Sequence, residues 1–511
     1  MTAFDEKKTI AKNTILLYMR MFVNIVISLY TSRIVLKSLG IDDYGIFNVV
    51  GSVVSMFSLI SGSLSNSVSR FIAFELGKDC KYRLQNIFSM SVHIHIIMAI
   101  IILILVELLG VWFLNTRMNI IQERVTAANF VLQFSMLTFV VNLVSVPYNA
   151  VIIAHEKMKA FAYISIAEVF MKLFAAILLI VSPYDKLIVY SISLFCIALL
   201  LRSVYIIYCR KSFQECLVIR SWDKSIAREI IQFAGWNIFG VFANLLKYQG
   251  VNIVLNVFCG SALNAAQGIA NQVNNALQSF SDSFIMAINP PIIKKYACSE
   301  MDKCLNLVII GSRFSFYLML ILAFPILFQT SIILDFWLHE YPLYAVSFIR
   351  LILLCSLIDV LSKTIVTAIN ATGKIKAYQL GISFLLFMNF PLSFICLKIG
   401  CSPISIYIIA INISIVSLIY RIYILHKLFN FPFFNLVISI ILKPIKIFIL
   451  SIIIGYVFFN VNNNISEIVN TLIAIIMLLA SVYVFGLNRS ERIYAKRILY
   501  KLLHISPKKV A

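Results

Sequence analysis

Residues Ile96–Leu114 read IIMAIIILILVELLGVWFL, nineteen positions with a single charge, Glu107. At 1.5 Å per residue a helix of that length covers about 28 Å, the depth of a bilayer's hydrocarbon core. Similar runs recur along the whole chain. Over 511 residues, 61% are hydrophobic and 13% charged, with a mean hydropathy of +0.95. Soluble domains carry about half apolar and a quarter charged residues. The composition therefore excludes a disordered chain, a nucleic-acid-binding domain and a secreted disulfide scaffold, and predicts an all-α polytopic membrane protein.

Fourteen spans are expected, at about 13–32, 44–69, 86–114, 125–154, 158–181, 186–208, 230–258, 262–291, 305–334, 343–370, 376–397, 402–420, 443–460 and 465–487. Lys443-Pro444 reads as a helix start, since Pro is tolerated in a first turn, which leaves 431–442 as an interfacial or re-entrant stretch. No small-residue cleavage site follows the first apolar run, so the N-terminus does not read as a signal peptide. With the N-terminus placed inside, 30 of the 43 Lys and Arg fall on cytoplasmic loops and flanks, 6 on outer ones and 7 within spans. That bias predicts a multi-pass protein with both termini in the cytoplasm. It also accounts for most of the +21 net charge, which suits an anionic inner leaflet rather than nucleic acid.

Several chemistries lack their residues. The longest loop, Cys209–Glu229, is too short for a folded domain. Thr372-Gly373-Lys374 lacks the leading Gly and the trailing Ser/Thr of a phosphate-binding loop, so direct ATP hydrolysis is not expected. The ten Cys contain no CxxC, and His93 and His95, two apart on a helix, point to different faces. No catalytic residue, metal or cofactor is expected.

The chain repeats itself. His155-Glu-Lys157-Met-Lys159-Ala160-Phe161 recurs 217 residues later as Thr372-Gly-Lys374-Ile-Lys376-Ala377-Tyr378. Tyr44-Gly45-Ile46-Phe47-Asn48 aligns with Gln267-Gly268-Ile269-Ala270-Asn271 at an offset of 223, and Asn66 with Asn289. A repeat of six spans preserves orientation and predicts two parallel six-helix lobes around an axis along the membrane normal, with substrate between them. The expected organisation is an N-lobe at 1–208, a linker at 209–229 and a C-lobe at 230–425. The interfacial stretch and two further spans follow at 426–487, and a basic tail at 488–511.

The repeated helices also carry polar stripes. Gln267, Asn271, Asn274, Gln278 and Asp282 fall on one face of span eight. Span two has Asn48, Ser52, Ser55, Gly62, Asn66 and Ser69; span one has Asn13, Arg20, Asn24 and Ser28; span seven has Asn237, Gly240, Asn244 and Lys247. Single Ser positions read as interhelical contacts, whereas the run on span eight reads as the wall of a hydrated cavity. Within spans stand the bases Arg20, Lys172, Arg202, Lys247, Arg313, Arg350 and Lys363 and the acids Glu107, Glu168, Asp282 and Asp359. Glu168–Lys172 and Asp359–Lys363 are spaced to pair along their own helices. The excess of bases predicts an anionic substrate, held by Arg20, Asn24, Asn244, Lys247, Asn271, Gln278 and Arg313. Lys247, deep in its span, is the expected head-group contact, with Arg20 second and Asp282 as a competing partner. Asp282, with no base at i±3 or i±4, is the expected ion-coupling carboxylate.

The opening stretch, Arg33-Ile-Val-Leu-Lys37-Ser-Leu-Gly40, Asp43-Tyr44-Gly45-Ile46-Phe47-Asn48 and Ser69-Arg70-Phe71, resembles the multidrug/oligosaccharidyl-lipid/polysaccharide exporter superfamily. Within it the chain looks most like the Wzx-type O-antigen and capsule flippases. The resemblance implies translocation of undecaprenyl-pyrophosphate-linked oligosaccharide repeat units, by alternating access and without bond breaking. It also implies contacts with other polysaccharide-assembly proteins. Related flippases use bases on the first helix of each lobe, where Arg20 and Lys247 stand, although these are 227 apart and outside the repeat offset. A multidrug exporter, a lipid II flippase and a membrane glycosyltransferase or polymerase are the alternatives. The last is suggested by Asp42-Asp43 in the first outer loop and opposed by the shortness of every outer connection.

Overall fold

The computed structural model describes residues 3–55, 57–117, 122–217, 222–247, 251–259, 261–338, 341–461, 467–488 and 491–492, and among these no residue is in a strand. The helices run α1 (Ala3–Ser55), α2 (Ser58–Lys78), α3 (Lys81–Leu105), α4 (Val111–Arg117), α5 (Val125–Ala154), α6 (Met158–Val181), α7 (Lys186–Ser212) and α8 (Lys224–Leu245). They continue as α9 (Val251–Cys259), α10 (Ser261–Ala297), α11 (Met301–Phe328), α12 (Thr330–Leu338), α13 (Ala345–Ala371), α14 (Lys376–Phe387) and α15 (Asn389–Lys398). The last are α16 (Ser405–Phe429), α17 (Phe433–Val437), α18 (Lys443–Tyr456) and α19 (Glu467–Ser481). The long spans are thus often broken into stacked helices. Ile96–Leu114 itself is the end of α3, a π-helical turn at Val106–Gly110 and the start of α4.

Among the described residues, eleven helical segments are long and apolar enough to cross a membrane. Spans two, seven and eight are not among them, and these three carry polar stripes. Their Asn, Gln and Ser side chains lower the hydropathy of helices whose polar faces must be satisfied by protein or water. The structure thus confirms an all-helical, multi-pass membrane protein.

Two local details differ from the sequence reading. The connection between spans one and two is very short: two helices meet across a kink at Gly40, whose non-helical φ of 80° and ψ of 174° suit a residue without a Cβ. Span thirteen begins before Lys443-Pro444. The stretch read as interfacial is α17, joined to α18 by a π-helical turn at Ile438–Leu442 just ahead of Pro444. Proline supplies no N–H for the preceding turn, and the irregular turn falls where that hydrogen bond is missing.

The helices form two compact units. The first comprises 1–244, 286–304 and 367–383. Its core gathers Phe71, Ile72, Phe88 and Val151 with Ile293, Ala371 and Ile375 from the ends of α10 and α13 and the turn that follows. The second comprises 245–285, 305–366 and 384–511 and buries Phe324, Phe348, Leu353 and Ile422.

Candidate functional site

In the second unit, Lys247 lies just beyond α8 and is only 2% exposed. An ammonium in that position must be paired and hydrogen-bonded. Its Nζ lies 2.8 Å from Asp359 Oδ2 of α13 and donates to Ser414 Oγ of α16 at 2.7 Å. Its backbone carbonyl accepts from Asn389 Nδ2 of α15 at 2.9 Å, and Cys355 Sγ stands 3.3 Å from Ser414 Oγ. Beside this knot is a cavity of about 20 Å³ lined by Lys247, Gln267, Asn271, Cys355, Asn389 and Tyr407 among others. That is room for about one water.

The stripe on α10 therefore splits. Gln267 and Asn271 face the small cavity. Lower down, Asn274 Oδ1 accepts from Ser356 Oγ at 2.7 Å, and Gln278 Nε2 donates to the same hydroxyl at 3.1 Å. Asp282 pairs with Lys363 Nζ, which also donates to Gln278 Oε1 at 3.3 Å. The lower stripe thus makes interhelical contacts with α13. The expected pairing of Asp359 with Lys363 along one helix is also corrected. Each turns to another helix, Asp359 to Lys247 and Lys363 to Asp282. The competing partner of Lys247 is Asp359 and not Asp282. Arg313 is buried and donates to Glu491 Oε1 at 2.7 Å, so a carboxylate already holds it.

The remaining expected residues belong to the first unit. Arg20 lies over the ring of Phe161 at 4.8 Å, and its buried Nε has no hydrogen-bond partner among the described residues. One turn on, Asn24 Nδ2 donates to Ser165 Oγ at 3.1 Å, while its Oδ1 is buried and unpartnered among the described residues. Among the described residues, Asn244 bonds only along its own helix, to the Gly240 carbonyl at 3.0 Å. The seven predicted substrate contacts are thus divided between the units. Sequence reasoning missed Ser414 and Asn389 as partners of Lys247 and assigned Asp359 to the wrong lysine.

Residues 10–296, more than half of the chain, match the family described as polysaccharide biosynthesis protein. The chain belongs to that family. Among curated proteins it is 19% identical over 288 residues to the uncharacterized membrane protein EpsK of Bacillus subtilis, a match covering 56% of each. The chain thus spans little more than half the length of that relative. Its fold is similar to that of an outward-facing multidrug resistance MATE family transporter of the MOP superfamily. The TM-score is 0.72 at 12% identity, over 83% of this chain and 96% of that one. A MOP superfamily transporter from Pyrococcus furiosus, described for the reversed polarity of its binding pocket, matches with a TM-score of 0.70 at 12% identity, over 83% and 96%. The chain is thus a multi-pass helical member of the polysaccharide biosynthesis family whose fold is similar to that of these MOP superfamily transporters.

The repeat seen in the sequence has a structural counterpart inside the first unit of the polysaccharide biosynthesis protein. After α5, Glu156 adopts φ 59°; after α13, its repeat equivalent Gly373 adopts φ 76°. Both are left-handed residues closing a helix. Each turn is held by a cation from the other half of the sequence. Lys294 of α10 reaches Glu156 Oε1 at 2.7 Å, and Arg70 of α2 donates to the carbonyls of Asn370 and Ala371 at 3.2 and 2.8 Å. Arg70 also lies 4.6 and 4.8 Å from the rings of Phe71 and Phe74. A Cβ at Gly373 would stand 2.8 Å from Arg70 Nη2, so glycine serves there both the backbone angle and the close approach. Arg70 and Lys294 are 224 apart, one more than the offset of the helices that carry them.

Proposed function

We propose that this protein is a flippase for undecaprenyl-pyrophosphate-linked oligosaccharide repeat units, moving them from the inner to the outer leaflet of the bacterial inner membrane by alternating access. The observation that carries the reading is the match of residues 10–296 to the polysaccharide biosynthesis family, on a fold similar to that of MOP transporters. A pyrophosphate needs cationic donors in a site with little competing water. Sugars need amide and hydroxyl partners, and a polyprenyl tail needs apolar helix faces. In this reading 1–208 and 230–425 are the moving lobes, 209–229 the linker, and the ends rich in Lys and Arg, with both termini, face the cytoplasm.

Arg20 with Asn24 is the better-supported head-group contact. The guanidinium faces an aromatic ring, its Nε has no hydrogen-bond partner among the described residues and no described carboxylate forms a salt bridge with it, so it keeps a donor for an incoming phosphate. Lys247 can reach substrate only by giving up Asp359. A head group there would have to displace that carboxylate, or arrive as Asp359 takes up a proton. The pair thereby couples cargo to a proton, a role shared in this reading with Asp282 and Lys363.

The test is translocation of a fluorescent lipid-linked oligosaccharide in proteoliposomes. Arg20→Gln should abolish transport in a folded, membrane-inserted protein, and Arg20→Lys should retain part of it. Full transport by Arg20→Gln would remove the head-group assignment. Efflux of a cationic dye, with no movement of the lipid-linked sugar, would replace the flippase reading with multidrug export.

A further inference from the structure

A cavity of about 730 Å³ opens beside the Gly373 turn, entirely within the first unit. We propose that it binds an anionic phospholipid, whose phosphate is held by Lys78, Lys374 and Lys376 and whose acyl chain lies along the apolar side of α8. The inference stands independently of the cargo.

Charge balance gives the first argument. Two carboxylates, Glu75 and Glu229, line the cavity, and both are engaged by Arg83 at 3.4 and 3.1 Å. Arg70 is committed to the carbonyls of Asn370 and Ala371. Lys78, Lys374 and Lys376 have no carboxylate partner among the described residues, and all three are exposed to what enters. Lys78 Nζ lies 4.7 Å from the Phe74 ring and Lys376 Nζ 5.2 Å from the Trp236 ring. A cation resting on an aromatic face keeps its N–H groups free to donate to phosphate oxygens.

The apolar wall favours a lipid over a soluble anion. Trp236 stacks toward Phe239 at 5.8 Å, and along α8 the side chains of Ile231, Phe239 and Phe242 are exposed. In a membrane protein such residues face acyl chains, and Leu380, in the cavity wall, is exposed as well. A basic pocket that runs onto a lipid-facing helix suits a phosphate with a tail attached. The cavity at the equivalent Glu156 turn is a built-in control. It is of similar size, about 740 Å³, but Glu75, Asp79 and Glu215 stand among its walls with Lys81, Lys157 and His155.

The three lysines come from both halves of the sequence, Lys78 from α2 and the others from the turn before α14 and its first residue. The bound phosphate therefore completes its ligand set only while Arg70 holds that turn. The lipid would stabilise that packed arrangement in proportion to its affinity.

The experiment uses the full chain, purified in detergent, with native mass spectrometry and thermal unfolding in the presence of phosphatidylglycerol, phosphatidylcholine or inorganic phosphate. Phosphatidylglycerol should bind and raise the unfolding temperature, and the other two should not. Lys374→Gln, at an exposed position with no ring contact, should weaken binding about fivefold. The triple change Lys78→Gln, Lys374→Gln, Lys376→Gln should abolish the thermal shift in a monodisperse protein, while Lys81→Gln with Lys157→Gln leaves it intact. Equal binding of phosphatidylcholine, a shift reproduced by inorganic phosphate alone, or unweakened phosphatidylglycerol binding by Lys374→Gln would overturn the proposal.

Discussion

The first unit holds most of its membrane-depth cations with carbonyl oxygens and aromatic faces; the second holds them with carboxylates. In the first, Arg202 donates to the Val144 carbonyl and lies 4.2 Å from the Tyr148 ring, and Arg20 lies over Phe161. In the second, Lys247 has Asp359, Arg313 has Glu491 and Lys363 has Asp282. Each unit has one exception. Lys172 pairs with Glu168 in the first, where both side chains are partly exposed, and Arg350 bonds Thr330 Oγ1 in the second. The difference decides what is left behind when a cation is removed. Removing Arg20 or Arg202 from the first unit leaves a ring or a carbonyl behind. Removing Lys247 or Arg313 from the second leaves a largely buried carboxylate without its counter-ion.

The largest effect is therefore expected at Lys247. Lys247→Ala should destabilise the protein by about 3–5 kcal/mol, as should Asp359→Ala, because each strands the opposite charge. Lys247→Ala with Asp359→Ala should recover most of that loss in thermal unfolding in detergent. A single variant as stable as the parent would break the comparison. At Arg202 the expected cost is smaller, about 1–2 kcal/mol for Arg202→Gln, since only a hydrogen bond and a ring contact disappear. A loss as large as that at Lys247 would mean that the first unit's cations are not compensated by neutral groups.

Asp282 is 59% exposed at its side chain. Asp282→Asn should therefore change stability by less than about 1 kcal/mol. The same variant should shift the pH or sodium dependence of transport in proteoliposomes, and an unchanged dependence would leave Asp282 with a packing role only.

The smallest effect concerns Glu215, a first-unit acid outside the spans. Burial pushes its pKa up, but the hydrogen bond and charge of His155 prevail and hold it below the ordinary 4.5. A carboxyl with a depressed folded pKa contributes stability above its unfolded value and loses it as pH falls through the folded one. The stability gap between the parent and Glu215→Gln should be open at pH 6 and should close as the pH drops below 4.5. A gap that widens in acid would reverse the sign.

Much of the fold was legible because hydrophobic length is a one-dimensional property. Ile96–Leu114 announces a span by itself, and the Lys-x-Lys-Ala-aromatic repeat announces two related turns, which the structure gives the same left-handed residue. The candidate site was half legible. That Lys247 and the face of Gln267 and Asn271 matter together follows from periodicity, and they do meet around one small cavity. What covers the rest of that face did not follow. Ser356 lies far along the chain and looks unremarkable in sequence, and Lys363 reads there as the partner of Asp359.

Sequence by itself determined that this is a multi-pass helical protein, that spans one, two, seven and eight carry polar stripes, and that bases outnumber acids inside the spans. Those conclusions depend only on which residue types share a helix and a face. Tertiary structure decided which charge answers which. The i, i+4 spacing of Asp359 and Lys363 permits a pair along α13, but such a pair gains little while both groups stay within reach of other helices. Packing presents a fully buried ammonium to Asp359 and a half-exposed carboxylate to Lys363. The ammonium of Lys247 has the larger desolvation to offset, so Asp359 goes to it and Lys363 is left to Asp282.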